Sequence, residues 1–398
     1  METILTILLI ILAAVFFAFL LDIIPLFWRW ISRIHIGQWE NREKWKTAAE
    51  KLLLYQLKHT PAVPVSDNTR LTIIERLKGR YKSKNLQNWQ EAALLLGANE
   101  IFKHEAIDGQ LKYFINSKIS PESGEWLAEH KKIDIAMLAF AVLSSPASDK
   151  QKIKPAMDNT AKMLLSLSEK SGTVPYNNSL TDVRFVDTIG IICPFLIKYG
   201  IVYQREKTIL LAIRQIEEYI ITGIHPDLKL PVHCFDMKSQ APLGIYGWGR
   251  GCGWFAVGLM DSYLALSPKE PGRIKSTFFE AQINEMKKYL MNQMIHLAEG
   301  LTRFQMDSGA WGRQVFINEA GESSATAMIA WFMGRMFALT GDDIYKISAD
   351  SAERFLISST RLNGLVDFAQ GDTKGIGFYS ARLDAMPAAQ GFAVRSFR

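Results

Sequence analysis

Hydrophobic positions fall into two regimes along the chain. From Ile4 to Leu21 every residue except Thr6 is apolar, a run of about 18 residues, long enough to cross a bilayer as a helix. Asp22 ends the run, and Ile23–Trp28 continues it as an interfacial stretch with Trp28 and Trp30 as aromatic anchors. Beyond residue 36 the pattern changes to apolar positions three and four apart, the period of amphipathic helices. This spacing predicts helices over Trp39–Leu57, Asn68–Leu77, Trp89–Phe102, Lys132–Leu143, Lys154–Ser168 and Val186–Tyr199. It predicts five more over Glu206–Thr222, Trp254–Leu266, Thr277–His296, Ser323–Leu339 and Asp343–Ser358. Pro61 and Pro64 close the first of them.

The connectors alternate in character. Some are short and polar, whereas Ser171–Arg184, Pro226–Gly253 and Glu299–Gly321 are long and rich in glycine, aromatics and charge. A ring of helical hairpins has this asymmetry, with plain turns on one rim and elaborated loops on the other. An all-α toroid is the economical architecture, and an irregular two-domain helical protein is the alternative. No linker divides the body, so the chain reads as an anchor over 1–35 and a single domain over 36–398.

Composition narrows the function. Of 398 residues, 48% are hydrophobic and 22% charged, enough apolar content for a large core. The net charge of +6 comes from basic residues interleaved with acidic ones, as in Glu40–Lys46, and no basic stripe carries aromatics, which argues against nucleic acid as a partner. Cys193, Cys234 and Cys252 are odd in number and lack CxxC spacing, so neither a disulfide framework nor a zinc site is indicated. No Lys or Arg precedes the apolar run and no small-x-small site follows it, which favours a retained single-pass anchor over a cleaved signal. Arg29, Arg33, Arg42, Lys44 and Lys46 follow the span, and the positive-inside rule then puts the body on the cytoplasmic side.

Candidate chemistry centres on Trp248-Gly249-Arg250-Gly251-Cys252-Gly253-Trp254. Indole faces pack on sugar C–H groups, and a guanidinium fork suits a carboxylate. Asp187 stands in an otherwise apolar segment; it either faces a cavity, where desolvation raises its pKa toward that of a neutral-pH acid, or caps the helix that follows. Asp134 opens an apolar helix with the same two readings, and two acids facing one cavity are what acid–base work on sugars uses. His233 and Asp236 share the longest loop, with Asp236 available to orient the imidazole. Trp311 offers a further aromatic wall, while Glu322–Met328 reads as a helix start packed through small residues.

In this order the segments resemble the unsaturated glucuronyl and rhamnogalacturonyl hydrolases of glycoside hydrolase families 88 and 105. The resemblance rests on Asp187 with Pro194-Phe195-Leu196 seven residues on, then His233-x-x-Asp236, Trp248-x-Arg250-x-x-Gly253-Trp254, Trp311 and Glu322–Met328. It spans roughly 85–395 and implies an (α/α)6 barrel. It also implies hydration of the C4=C5 bond of a terminal unsaturated uronic acid, with neither metal nor organic cofactor. By motif, Asp187 would be the general acid/base and Asp134 the second active-site carboxylate. His233, Asp236, Trp248, Arg250, Trp254 and Trp311 would bind the acidic oligosaccharide. Cys252 departs from the family pattern and is expected to alter the pocket floor. A different reading keeps the barrel without turnover, as a membrane-bound glycan-binding component of surface-polysaccharide metabolism.

Overall fold

Six helices that are apolar on nearly every side cannot each face water, and the chain resolves this by closing them into a ring. In the computed structural model, which describes residues 2–61, 63, 67–79, 86–101, 105–169, 172–266 and 277–397, the ring comprises α4 (Asn88–Glu100), α6 (Ile135–Leu143), α8 (Asp187–Tyr203), α10 (Gly249–Ala265), α12 (Ser323–Thr340) and α14 (Pro387–Arg395). Each packs on the next, and α14 returns to α4. All nine residues of α6 are buried, as expected of a helix with no solvent face. Glycines permit the close seams: a Cβ at Gly97 would lie 2.5 Å from the carbonyl of Gly391 where α4 meets α14, and one at Gly258 would lie 2.6 Å from that of Ile189 where α10 meets α8.

Outside the ring lie α2 (Arg42–Lys58), α5 (Glu105–Asn116), α7 (Lys154–Ser168), α9 (Glu206–Gly223), α11 (Thr277–Arg303) and α13 (Asp343–Ser358). These are amphipathic, burying one face on the ring, and two carry side-chain caps: Asn41 accepts from Lys44 N at 2.9 Å and Asp342 from Ile344 N at 3.0 Å. Six inner and six outer helices make the (α/α)6 barrel. Outside the barrel lie α1 (Glu2–Ser32), whose residues are all outside the core, and the short α3 (Thr72–Leu77), which follows α2 and packs against α1. Among the described residues α1 is the one helix long and apolar enough to cross a membrane, with mean hydropathy 3.2 over its most apolar stretch.

Two helices are missing from the sequence-based expectation. α5 is amphipathic and its periodicity is there to be read, whereas α14 is short, rich in small residues and buried throughout, so it leaves no amphipathic trace. The long connectors also contain strands. β1 (Val183–Phe185), β2 (Val232–Asp236) and β3 (Pro242–Tyr246) form an antiparallel sheet in that order, and β4 (Ala369–Gln370) pairs with β5 (Leu383–Asp384). α10 begins at Gly249, five residues before its predicted start, so the Gly-rich motif is a first helical turn and not a loop. Met1, Pro64, Phe102, Ser171 and Arg398, which bound some predicted segments, lie outside the described residues.

Candidate active site

The three-stranded sheet is what assembles the site. β1 runs directly into α8, so Asp187 is the first helical residue after the strand. β2 lies beside β1, and Val186 N donates to His233 O at 2.9 Å, which sets His233 next to the start of α8. β3 runs through Gly247, at φ +65°, into Trp248 and the first turn of α10, bringing Arg250 to the same rim. Strand pairing therefore places three sequence-distant residues over one end of the ring.

There Asp187 and Arg250 open onto a cavity of about 280 Å³, near the lower end of small-ligand pockets at roughly 300 Å³, with His233 beside Asp187 but outside the lining. Trp89, Tyr176, Trp248 and Trp254 supply aromatic walls; Asp187, Arg250, Asp372 and Lys374 supply charge; Gln87 and Thr373 add polar atoms. Trp89 and Trp254 meet edge to face at 5.5 Å, a favoured geometry for aromatic pairs.

Asp187 is the electrostatic oddity of this cavity. Its Oδ2 is buried without a hydrogen-bond partner, and the nearest basic atom is His233 Nε2 at 3.8 Å, beyond hydrogen-bond range. Burial pushes its carboxyl up to about 6, against the smaller opposing pulls of its own backbone N–H and the charge of Arg250. Val186 occupies the N-cap position and makes no side-chain cap. The cavity-facing reading of Asp187 is thus the one the geometry supports.

His233 is itself buried, and desolvation, reinforced by Arg250, depresses it to about 4, so it is neutral at ordinary pH. Its Nδ1 lies 2.9 Å from the hydroxyl of Tyr379, whose oxygen also accepts Ile245 N–H at 3.2 Å. The hydroxyl proton is then directed at Nδ1, an assignment from the hydrogen-bond network that leaves the ring proton on Nε2, facing Asp187. Gly244 makes the approach possible: at φ +79°, any Cβ there would lie 2.7 Å from Tyr379 Oη and 3.0 Å from His233 Cβ.

Other predicted residues take different places. Asp236 does not orient His233; it accepts from Lys238 N, Ser239 N and Ser239 Oγ in a surface turn, and Tyr379 holds the imidazole instead. Trp311 is fully buried with Nε1 donating to Leu301 O at 2.9 Å, so it is core and not a sugar-facing wall. Arg250 lines the cavity, but its terminal nitrogens donate to the carbonyls of Gln370 (2.6 Å) and Gly371 (2.8 Å), so the fork holds the loop after β4 where an open carboxylate clamp was expected. Trp248 is tied to the same segment through Nε1 and Gln370 Oε1 at 2.9 Å. Asp134 does not line the cavity; it stands at the N-cap of α6, accepting from Asn88 Nδ2 at 3.1 Å, and its charge reaches Tyr176. Cys252 is fully buried and forms no part of the cavity floor.

Residues that the sequence did not single out complete the site: Gln87 and Trp89 from the start of α4, Tyr176 from a connector, and Asp372, Thr373, Lys374 and Tyr379 from the segment between β4 and β5. An indole at the head of a buried helix was a usable signal for Trp89. For Tyr379 there was none, because only tertiary pairing brings it to His233.

Residues 66–364 match a family model described as Glycosyl Hydrolase Family 88. No curated protein sequence gives a significant match. Among solved structures, the fold is similar to a possible member of the GH105 family from Klebsiella pneumoniae, with TM-score 0.70 and 16% identity over 90% of this chain and 93% of that one. A family 105 glycoside hydrolase from C. acetobutylicum gives TM-score 0.65 at 16% identity, covering 77% of this chain and 92% of that one. An unsaturated glucuronyl hydrolase from a Bacillus species, described as responsible for the degradation of glycosaminoglycan, gives 0.58 at 13%, covering 88% and 93%. These likenesses establish the fold, and the match across most of the chain establishes the rest: this protein belongs to glycosyl hydrolase family 88 and is a glycoside hydrolase.

Proposed function

We propose that the protein is a membrane-tethered hydrolase of oligosaccharides ending in a C4=C5 unsaturated uronic acid, with Asp187 as general acid and base. The observation that carries this reading is the buried, unpartnered Oδ2 of Asp187 with its carboxyl raised to about 6. An acid of that strength is protonated up to about pH 6 and keeps a useful fraction of its proton above that, where an ordinary carboxyl has almost none, the property needed to protonate a carbon centre. Protonated Asp187 delivers its proton to C4, and positive charge develops at C5 and the ring oxygen. The resulting carboxylate then takes a proton from water as its oxygen bonds to C5. The C5 hemiketal opens to a ketone, C1 is left as a hemiacetal, and that hemiacetal expels the linked sugar as an alcohol. Asp187 ends as it began, protonated.

The surrounding residues suit this sequence. His233, neutral with Nε2–H toward Asp187, steadies the carboxylate formed midway without adding a charge that would hold Asp187 ionised beforehand. Trp248, Trp254 and Trp89 offer flat faces to the planar unsaturated ring, and the cations Arg250 and Lys374 complement its carboxylate. Asp134, one helix away beside Asn88, acts through the field at Tyr176 and the polar edge of the wall, short of direct contact with the reacting carbons.

α1 is read as a retained anchor, giving a division at residues 1–35 and 36–398. Its end is built into the body: Arg33, just past the helix, donates to Asp367 through Nε and Nη2 at 2.8 and 2.7 Å, and Arg29 in the last turn donates to Asp384 at 3.1 Å. A segment destined for removal would leave the fully buried Asp367 with Arg361 as its remaining arginine partner. The basic residues after the span favour a cytoplasmic body. Incubation with lyase-generated unsaturated oligosaccharides is expected to erase the ultraviolet absorbance of the conjugated double bond, and Asp187→Asn to stop this. Saturable binding without loss of absorbance for any unsaturated uronide would instead identify a glycan-binding component.

A further inference from the structure

The foot of α1 meets the body at the hairpin that walls the sugar cavity. β4 and β5 pair through Ala369 with Asp384 and Gln370 with Leu383, and Gly371 N donates to Arg382 O at 3.1 Å. The arm leaving β4 puts Asp372, Thr373 and Lys374 into the cavity, and the returning arm carries Tyr379 to His233. The root of the hairpin matters as much. Gln370 accepts Trp248 Nε1–H on its side chain and Arg250 Nη1–H on its carbonyl. A shift of that root would therefore move both the sugar-facing wall and the support of the imidazole.

The root turns on a strained corner. The chain enters β4 through Phe368 at φ +60°, a left-handed conformation that a bulky residue keeps only where its surroundings hold it. Ser323 fixes the backbone of this corner to α12, its N–H donating to Phe368 O at 3.1 Å. Arg33 fixes the rest. Its guanidinium lies 4.6 Å from the centre of the Phe368 ring, and its Nε and Nη2 fork the fully buried Asp367 just before the corner. Nη2 also donates to Leu383 O at 3.2 Å, on the returning strand. Arg361 reaches Asp367 at 2.6 Å and keeps that carboxylate paired from within the body. The cover on Phe368 and the bridge to Leu383 come from Arg33.

We propose that Arg33 is a positioning residue of the hydrolase. It holds the β4–β5 hairpin against the ring and thereby sets the wall of the sugar cavity, so the foot of α1 is part of the enzyme as well as its tether. That role rests on the hydrolase reading of the cavity and not on α1 crossing a bilayer.

The test uses the full chain in neutral detergent with a lyase-generated unsaturated disaccharide, and sets Arg33→Gln against Arg42→Gln. Arg42 makes an equal fork on Glu353 of α13, at 2.7 Å through both nitrogens, so its loss removes a similar ion pair away from the hairpin. Arg33→Gln is expected to raise KM by about tenfold, within the range for residues that act on a site without touching its ligand. Arg42→Gln should leave KM within about twofold of the wild type. Misfolding alone would lower the amount of active enzyme, and so the apparent kcat, at constant KM. Hydrogen exchange follows the hairpin independently of turnover: amides of residues 369–384 should exchange faster in Arg33→Gln and not in Arg42→Gln. Arg33→Lys keeps a charge on Asp367 but cannot fork it and reach Leu383 together, so KM should rise by about threefold. This variant is read instead if Arg33→Gln does not fold. An unchanged KM, hairpin amides that exchange as in the wild type, or an equal rise of KM in Arg42→Gln each overturns the positioning role while hydrolysis by the wild type stands. A wild-type chain that hydrolyses no unsaturated uronide overturns the hydrolase reading and this role with it.

Discussion

The N-termini of α8 and α12 each present a buried carboxylate to the same rim of the ring, and they treat it in opposite ways. Glu322, fully buried, has its oxygens filled: Oε1 accepts from Ser324 N (2.8 Å), Ser324 Oγ (2.7 Å) and Gln370 N (2.8 Å), and Oε2 from Ala325 N (2.7 Å). Asp187 has an Oδ2 with no partner at all. A buried carboxylate stays charged at modest cost when its lone pairs are met by N–H donors at a helix start. Deprived of them, it gains a proton. The two ends are chemically alike and functionally divergent, and the difference lies in donors withheld. Glu322 fixes the root of β4, whose Gln370 in turn holds Trp248 and Arg250. One acid builds the wall, and the other works inside it.

The most direct way to break this contrast is Asp187→Asn, which keeps shape and removes the proton cycle. Turnover is expected to fall by about a thousandfold, within the range for a lost general acid. Stability should move the other way. Between about pH 4 and 6 the folded chain retains a proton that the unfolded chain releases, so stability declines as pH rises through the folded value of about 6. The Asn variant escapes that decline and should be more stable at pH 7, by up to about 3 kcal/mol for a shift of roughly two units. Thermal melts at pH 4.5 and 7.5 check this; a variant no more stable at the higher pH would show that Asp187 is not strained by burial. The same group sets the basic limb of the activity profile. Turnover should fall as pH rises above about 6, and should also fall below about 4, where His233 acquires a charge beside it.

Glu322→Gln is the converse experiment. One amide NH2 would face donors where an oxygen now accepts, leaving buried N–H groups unmet at α12. A loss of about 2–4 kcal/mol is expected from chemical denaturation. Activity per folded molecule should suffer less than in Asp187→Asn. If the two variants instead lost activity alike with stability untouched, the division of labour between the helices would be wrong.

How much of this was visible in the chain depends on what kind of information each feature needs. The ring is a consequence of apolar periodicity, and all eleven of the predicted helices from α2 onward map onto those observed, with ends displaced by up to seven residues. The exceptions are instructive. α14 hides because, unlike the equally buried but strongly apolar α6, its small and polar residues give neither an apolar run nor an amphipathic stripe, and α10 starts early because glycines at Gly249, Gly251 and Gly253 read as loop while serving close packing on Gly312, Trp248 and Met328. In the site, Asp187 stood out as a charge in an apolar segment. The partner of His233 did not, since Asp236 is three residues away in sequence and Tyr379 is 146, and strand pairing decides between them. Trp311 misled for a related reason: an indole beside glycine looks the same whether it faces sugar or core.

His233 and Tyr379 sharpen the contrast on a smaller scale. His233→Ala removes the donor facing Asp187 and is expected to lower kcat by about ten- to a hundredfold, toward the lower end of general acid–base effects. Tyr379→Phe leaves the ring in place but frees its tautomer. A drop of about tenfold is expected, carried by kcat with KM little changed, since Tyr379 acts through His233 and does not line the sugar cavity. An effect on KM alone would place Tyr379 in substrate binding instead.

Gly244→Ala should give the smallest effect and the cleanest reading. The residue lies in β3 at φ +79°, so a methyl group costs about 1 kcal/mol in backbone strain wherever it points. Here it points at Tyr379 Oη, 2.7 Å away, and at the Cβ of His233. Neither Asp187 nor the cavity wall is touched, so binding of a substrate analogue should survive. If the hydrogen bond between Tyr379 and His233 matters only for packing, the variant loses stability and nothing else. If it sets the imidazole proton facing Asp187, kcat falls several-fold beyond what the stability loss explains, and Gly244→Ala combined with Tyr379→Phe is no worse than Tyr379→Phe alone. That non-additivity, read from a double-mutant cycle on kcat, separates a positioned imidazole from a merely buried one.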